Sequence, residues 1–392
     1  MARMRPVRRP RKEGSPCSIL IVTMAPAPYR LASFAALAGR ADVDLDVVFL
    51  RSGIERHAWG DLKSRIRFGF RVLEGGMVTR AVQLARRLIQ RRPDLVIVGG
   101  WNRFEYWLGA GLGMVIGRPV VVWSESTARD WRKASSARRL IVKLLVGTSS
   151  GVLACGRGAA EYARTMGARR VWIAVNATDD VHPAGDISTP PVGTRGDAAS
   201  VLFVGRLARE KGIDTLLRAW RGVESEVDAQ LILVGSGPSE SALVALGRRL
   251  GLHSVTWIPY VDPRLLHDWY SRADVFVLPS RSEAWGFVVN EAMAHALPIV
   301  ATTAVGSVRE LVRPGVNGWL VEPGDVESLS ERLLSLLSSA EVRERMGAAS
   351  ADIIAGISPA RWAEAVALMA HEVIDPRYPR RTNSPSTRQS VL

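Results

Sequence analysis

At 392 residues the chain is long enough for two domains. With 47% hydrophobic and 23% charged residues it can bury a full core, which excludes a disordered or fibrous protein. Two cysteines, Cys17 and Cys155, exclude a disulfide framework and a cysteine zinc site. The net charge of +14 is lopsided: residues 1–180 hold 31 Lys and Arg against 14 Asp and Glu, and residues 181–392 hold 21 against 24, so the first half is suited to an anionic partner.

The first twelve residues carry six basic side chains and open a basic tail over 1–16. The apolar run Ile19–Met24 is too short for the core of a secretory signal or for a membrane span. It reads instead as part of a buried strand, Ser18–Thr23. Further strands are expected at Leu45–Leu50, Leu95–Val98, Val120–Trp123 and Gly151–Ala154, within a first domain over 17–178. Trp107–Trp123 is also apolar, but Arg118-Pro119 divides it into a buried helix and a strand. Residues 179–200, rich in Pro, Gly and Asp, read as a linker. A second domain over 201–358 carries strands at Val201–Val204, Gln230–Val234, Val255–Ile258, Val275–Leu278, Ile299–Ala301 and Gly318–Val321. A helix over Pro359–Ile374 is expected to pack back on the first domain, ahead of a disordered tail over 375–392. Near-continuous apolar strands separated by helices predict parallel sheets covered on both faces, and so many strands exceed one such sheet. The fold class is therefore α/β with two doubly wound, Rossmann-like domains. No repeat of fixed period links them. The chain is expected in the cytoplasm, with adherence to a membrane left open.

Four features of the second domain follow predicted strands, where open α/β sheets bind ligands. After VLFV come Gly205-Arg206-Leu207 and Glu210-Lys211-Gly212. Arg206 and Lys211 are spaced to reach one diphosphate. The chain uses 47 Arg and five Lys, and Lys211 is the only lysine after residue 143, a choice that suits a compact charge on a phosphate oxygen. A solvated loop is the plain alternative. After LILV comes Gly235-Ser236-Gly237-Pro238; Glu240 stands where a dinucleotide fingerprint needs glycine, so this reads as a tight turn into a helix. The third feature is SRSEAWGFVVNEAM, Ser280–Met293, with Glu283 and Glu291 flanking Gly286 and a helix expected over Phe287–Ala296. Were one helix to carry both glutamates they would sit about 12 Å apart along its axis. That exceeds the roughly 5–9.5 Å of a glycosidase pair. They suit the two ends of a long ligand, while two unrelated surface glutamates remain the alternative. Gly286 lets a ligand approach the backbone, and the helix start offers N–H groups to an anion. Fourth, Val305-Gly306-Ser307 precedes Glu310, and Ser307 with Glu310 fits a capping box.

The combination G-R-L-x3-K-G, G-x-G-P, E-x7-E and V-G-x3-E resembles the C-terminal domain of the retaining GT-B glycosyltransferases of family 4, and it spans the whole second domain. The resemblance implies a GT-B fold, two Rossmann-like domains facing a central cleft. It implies that Arg206 and Lys211 neutralise the diphosphate of a nucleotide-sugar donor, that Glu291 binds the ribose hydroxyls, and that Glu283 holds the sugar. Gly205, Gly235 and Gly237 would shape the donor site, with the backbone of Ala284, Trp285, Gly286 and Phe287 on the sugar. E-A-W-G replaces the usual E-G-F-G, and His295 stands where a small residue is common, so the sugar is left open.

APAPYRLASF, Ala25–Phe34, follows the first strand and resembles a subgroup of the same family; Tyr29 and Arg30 sit at a helix start, where Arg30 is read as an acceptor or phosphate contact or as a cap. Gly99–Trp107 and Trp123–Thr127 also follow strands, which makes Trp101 and Asn102 acceptor-side candidates. Family members often carry a histidine after the fourth strand; here Ser124-Glu125-Ser126 stands instead, and Glu125 is a candidate catalytic base or a structural carboxylate. The D-x-D within Asp42–Asp46 enters a strand of the domain not expected to hold the donor, and is read as a decoy for a metal site. His57, His182, His253, His267 and His371 show no ligand spacing.

The expected chemistry is metal-independent, retaining front-face transfer from a UDP- or GDP-sugar, with Glu283, Arg206 and Lys211 at the reacting centre and no cofactor. The expected acceptor is a glycan or a polyprenyl-pyrophosphate-linked glycan in cell-surface polysaccharide synthesis, reached peripherally at the inner membrane face. A sugar-nucleotide epimerase of the same architecture is the nearest rival. A phosphorylase would need a late lysine, and none follows Lys211. A nucleic-acid or other anionic-polymer binder would interleave basic and aromatic residues, and no such tract is present.

Overall fold

The computed structural model describes residues 15–51, 66–129, 135–178 and 198–375. The basic tail up to residue 14, the linker over 179–197 and the tail from 376 lie outside them. The chain divides into two compact units, one running to Ala177 and resuming at Pro359, the other spanning Thr178–Ser358.

The first unit holds seven parallel strands: β1 (Cys17–Thr23), β2 (Val43–Phe49), β3 (Gly69–Val72), β4 (Leu95–Val98), β5 (Val120–Ser124), β6 (Gly151–Ala154) and β7 (Val171–Ile173). Their order across the sheet is β3-β2-β1-β4-β5-β6-β7. Helices α1 (Pro28–Ala38), α2 (Met77–Arg91), α3 (Phe104–Val115), α4 (Ser136–Thr148) and α5 (Arg157–Thr165) lie between them. Because side chains alternate along a strand, Ile19 and Ile21 enter a core with Phe34 and Leu37 of α1, while Leu20 and Val22 face Leu84, Tyr106 and Val142 of α2, α3 and α4. Central strands thus need apolar residues at every position. The edges do not, and β3 and β7 show only half-buried and exposed residues; β3 carries no apolar run, and the short run at β7, Val171–Ile173, is not among the strands expected from the sequence.

The second unit holds β8 (Ala199–Val204), β9 (Ala229–Val234), β10 (Val255–Ile258), β11 (Val275–Leu278), β12 (Ile299–Thr302) and β13 (Gly318–Val321) in the order β10-β9-β8-β11-β12-β13, all parallel. Its helices are α6 (Ile213–Glu226), α7 (Glu240–Leu250), α8 (Leu266–Ser271), α9 (Phe287–Ala294), α10 (Val308–Leu311), α11 (Val326–Leu337) and α12 (Ala340–Ala355). One core runs through the sheet, with Trp220 of α6 fully buried and its indole N–H donating to Ser254 at 2.9 Å.

The last helix, α13 (Pro359–Ile374), belongs to the first unit. Its Trp362 packs 5.9 Å from the Phe34 ring and 5.4 Å from that of Trp123. Glu372 accepts from the Trp172 indole at 2.9 Å and meets Arg170 at 3.2 Å. By length and mean hydropathy, 1.2, Ala340–Ile374 passes as a membrane span. The chain is broken there between α12 and α13, which belong to different units, and the apolar side of α13 is core.

The three carboxylates of DVDLD are each held by cations of their own domain. Buried Asp46 accepts twice from the Arg87 guanidinium, Nε at 2.7 Å, and Asp44 meets Arg91 at 3.1 Å. Asp42 meets Arg40 at 2.9 Å and His371 Nε2 at 2.9 Å. The bond from Arg40 pushes the Asp42 carboxyl down to about 2, burial opposes this, and His371 adds to it. A lowered folded-state pKa contributes stability that is whole above the unfolded value, near 4, and is lost as pH falls toward 2. Asp42→Asn should therefore melt lower than the parent at about pH 5 and nearly level with it at about pH 2. Calorimetry across that range checks this; a constant gap counts against the pairing.

Candidate active site

In the second sheet the chain leaves β8 toward β9 on one side and returns through β11 on the other, which makes the carboxyl ends of β8 and β11 a topological switch point. Four loops meet at that edge. The loop after β8 is bonded to the one after β9 by Leu207 N–H to Ser236 O at 3.1 Å and Ser239 N–H to Leu207 O at 2.9 Å. Gly235 and Gly237 allow this approach: a Cβ would fall 2.0 Å from Gly205 O at the first and 2.3 Å from Leu207 O at the second. In the structure these two glycines shape the loop that carries Arg206. The helix beyond them begins at Glu240, two residues past the proline.

The loop after β11 is tied to that after β8 by a residue the sequence reading passed over. Arg281 donates to both oxygens of Asp214 at 2.7 Å, to Thr215 Oγ1 at 3.1 Å and to Arg209 O at 3.0 Å. These bonds hold the Asp214 carboxyl below its usual range and raise the Arg281 pKa, in each case against the cost of burial. With the loops so fixed, the Lys211 ammonium contacts the Glu283 carboxylate. Their side chains are 17% and 19% exposed, open enough for a ligand to reach. Arg206 stands more open, 3.7 Å from Glu210.

The main chain around Glu283 is zipped to the loop after β12. Gly306 N–H donates to Glu283 O at 3.0 Å and Ser307 N–H to Trp285 O at 3.0 Å. The Trp285 indole is buried and donates to Asn290 Oδ1 at 3.0 Å, so only its backbone is available to a ligand. Gly286 caps α9 in the left-handed region, φ 90°. The first-turn amides of a helix lack intrahelical acceptors and suit an anion. Ser307 corrects one expectation. It precedes α10, but its hydroxyl makes no capping bond and is buried without a partner, so the Ser307–Glu310 capping box is not formed.

Glu291 lies on the second turn of α9 and accepts from the Tyr270 hydroxyl at 2.6 Å. One turn on, His295 Nδ1 donates to the Glu291 carbonyl at 2.8 Å, and its Nε2 lies 2.6 Å from His267 Nδ1. Sequence spacing gave no sign of this histidine contact, because it joins residues 28 apart on α8 and α9.

In the first domain Arg30 is no cap. Its guanidinium donates to Thr23 Oγ1 at 2.8 Å, meets Glu125 Oε1 at 3.0 Å and lies 4.9 Å over the Trp123 ring. Burial works against the charge, yet the Glu125 carboxylate leaves the Arg30 pKa raised, with Tyr29 adding to it. Asn176 Nδ2 donates to the same Oε1 at 3.0 Å. Glu125 is therefore a partnered, hydrogen-bonding carboxylate. Trp101 is a correction: it is buried beside Tyr162, at 6.3 Å between rings, and belongs to the core, whereas Asn102 is exposed. Arg30→Ala leaves Glu125 half-buried without its cation and should cost about 1–3 kcal/mol, with the double variant Arg30→Ala/Glu125→Gln recovering part of the loss. Chemical denaturation of both variants checks this; equal losses would deny the pairing.

Residues 188–352, which contain all four loops, match the family model described as Glycosyl transferases group 1. This segment is a glycosyl transferases group 1 domain. The D-inositol 3-phosphate glycosyltransferase of Kribbella flavida is 37% identical over 172 residues, which is 41% of this chain and 40% of that protein. The chain thus spans about two fifths of the length of the curated relatives it matches. Over the fuller length, the sucrose-phosphate synthase of Thermosynechococcus elongatus aligns with a TM-score of 0.69 at 20% identity, covering 91% of this chain and 98% of that one. Anabaena HepE in complex with UDP aligns with a TM-score of 0.71 at 19% identity, covering 90% and 99%. The fold is GT-B, with the group 1 domain as its second half.

Proposed function

We propose that the protein is a retaining family 4 glycosyltransferase that moves a sugar from a UDP- or GDP-sugar to a glycan or lipid-linked glycan acceptor. We assign it to cell-surface polysaccharide synthesis in the cytoplasm, peripherally at the inner membrane face. The Lys211–Glu283 contact at the switch point carries this reading; the UDP complex of HepE supports the donor class.

In this reading the donor diphosphate lies between Arg206, Lys211 and the amino end of α9, and Glu291 holds the ribose. As the bond from the anomeric carbon to the β-phosphate breaks, charge gathers on the phosphate, where these groups absorb it without a metal or other cofactor. The acceptor oxygen bonds the same carbon from the same face and gives its proton to the departing phosphate. Glu283, steered by Lys211, holds the sugar hydroxyls. Glu125, already committed to Arg30 and Asn176, orients the acceptor side together with Tyr29 and Asn102.

A panel of UDP-, GDP- and other nucleotide sugars in a thermal-shift assay tests the reading. The right donor at about a hundred times its Kd stabilises by about 2.7 kcal/mol. Free nucleoside diphosphate should then accumulate only when an acceptor is added. Conversion of donor with no acceptor would mean an epimerase, and stabilisation by no nucleotide sugar would end the proposal.

A further inference from the structure

Helices α2, α3 and α4 cover one face of the first sheet, their inward residues joining a single core. Their outward sides are apolar to an unusual degree. Of the 14 large hydrophobic side chains exposed among the described residues, ten lie on these helices or at their ends, so the exposure is concentrated rather than scattered. Helix α4 shows it best. Leu140, Ile141 and Leu144 are 60%, 51% and 60% exposed and form a stripe along one side. By helical geometry Arg138 and Lys143 fall about 110° to either side of that stripe, with Arg139 beside them, all three exposed. The helix holds no acidic residue.

We propose that α4 seats the first domain on an anionic bilayer. Leu140, Ile141 and Leu144 enter the acyl boundary, and Arg138, Arg139 and Lys143 meet headgroup phosphates, the arrangement of a helix lying in a membrane interface. The charge balance selects lipid over a second copy of the chain. Of the seven Arg and Lys on α2, α3 and α4, Arg80, Arg87 and Arg91 are paired with Glu105, Asp46 and Asp44, so the excess positive charge sits on Arg86 of α2 and on α4, whose Arg138, Arg139 and Lys143 meet no acid on their own helix. A two-fold contact would press like charges together, whereas an anionic leaflet answers them. The assignment deepens the peripheral membrane placement proposed above and rests on that part of the reading; it is separable from sugar transfer, because vesicle binding needs no donor.

The test is flotation of the full chain with vesicles of phosphatidylcholine alone, or with about 30% phosphatidylglycerol added. The protein should float only with the anionic vesicles, and less as salt rises from about 0.05 to 0.5 M. Leu140→Ser with Leu144→Ser should lower the partition coefficient about tenfold or more, and Lys143→Ala about fivefold. Being at the surface, these changes should leave the melting temperature in place. Unchanged flotation of the serine variant overturns the proposal, as does a wild-type chain that ignores anionic vesicles. So does a dimer in sedimentation equilibrium that the serine changes dissolve while no vesicle is bound, which would give the stripe to a second copy.

Discussion

Replacing Lys211 with alanine is expected to slow sugar transfer by about 10²- to 10³-fold, the usual loss when a preorganised group that meets developing charge is removed. The ammonium sits at the carboxyl edge of β8 against Glu283, in loops fixed by the Arg281–Asp214 bonds. The site therefore keeps its shape in the variant and loses one charge. On the proposed reading the stabilisation by nucleotide sugar should shrink at the same time, since Lys211 would meet the diphosphate in the ground state as well. The cost to the fold is smaller, about 1–3 kcal/mol, because Glu283 is left partly buried without its cation. Lys211→Arg keeps the charge on a wider head and should recover part of the rate. Initial rates of nucleoside diphosphate release decide the matter: an alanine variant within about threefold of the parent would remove Lys211 from the reacting centre. Glu283→Gln gives an independent reading, since on the proposed reading it spares the diphosphate contact and should depress the rate more than donor binding.

Much of this fold was legible because a parallel sheet buried on both faces imposes apolar residues at every position of its central strands. β4, β6, β10, β11 and β13 have the bounds their apolar runs suggested, and α13 runs over Pro359–Ile374 as expected. Among the edge strands, β3 was silent because GFRV holds no apolar run, whereas β10, half-buried along its length, was still legible from its own. At the candidate site, chain-local signals were readable: glycines that precede a turn, and a rare lysine. What spacing cannot convey is which side chains meet across loops. Arg281 was invisible beside the two glutamates, though its bonds to Asp214 join two of the four loops. The His267–His295 contact depends on how α8 meets α9. Trp101 follows a strand as a ligand-facing residue would, yet the packing of Tyr162 draws it inside. Ser307 has the residue type and spacing of a cap, but the bond from its N–H to Trp285 O commits the chain to the loop after β11, and its hydroxyl misses the helix.

The strongest structural test of that edge is Gly306→Ala. A Cβ there would stand 1.9 Å from Ala284 O and 2.8 Å from the Ala284 carbonyl carbon. Both are backbone atoms and cannot rotate aside as a flexible side chain would. The loop after β12 must back away, and the bonds from Gly306 N–H to Glu283 O and from Ser307 N–H to Trp285 O stretch or break. Two weakened backbone bonds, at about 1 kcal/mol each, and the residual strain suggest a loss of about 2–4 kcal/mol. For a domain of this size that is a fall of roughly 5–15 °C in melting temperature. Glu283 moves with its carbonyl, so its contact with Lys211 and any donor affinity resting on it should decline together. Gly251→Ala is the control: its φ of +72° is left-handed, but nothing lies within 4 Å of the added carbon. It should cost about 1–2 kcal/mol from backbone strain alone and leave donor binding untouched. If both variants lose the same stability and both keep donor affinity, the close approach of the two loops does not position Glu283, and the carboxylate must owe its place to Lys211 alone.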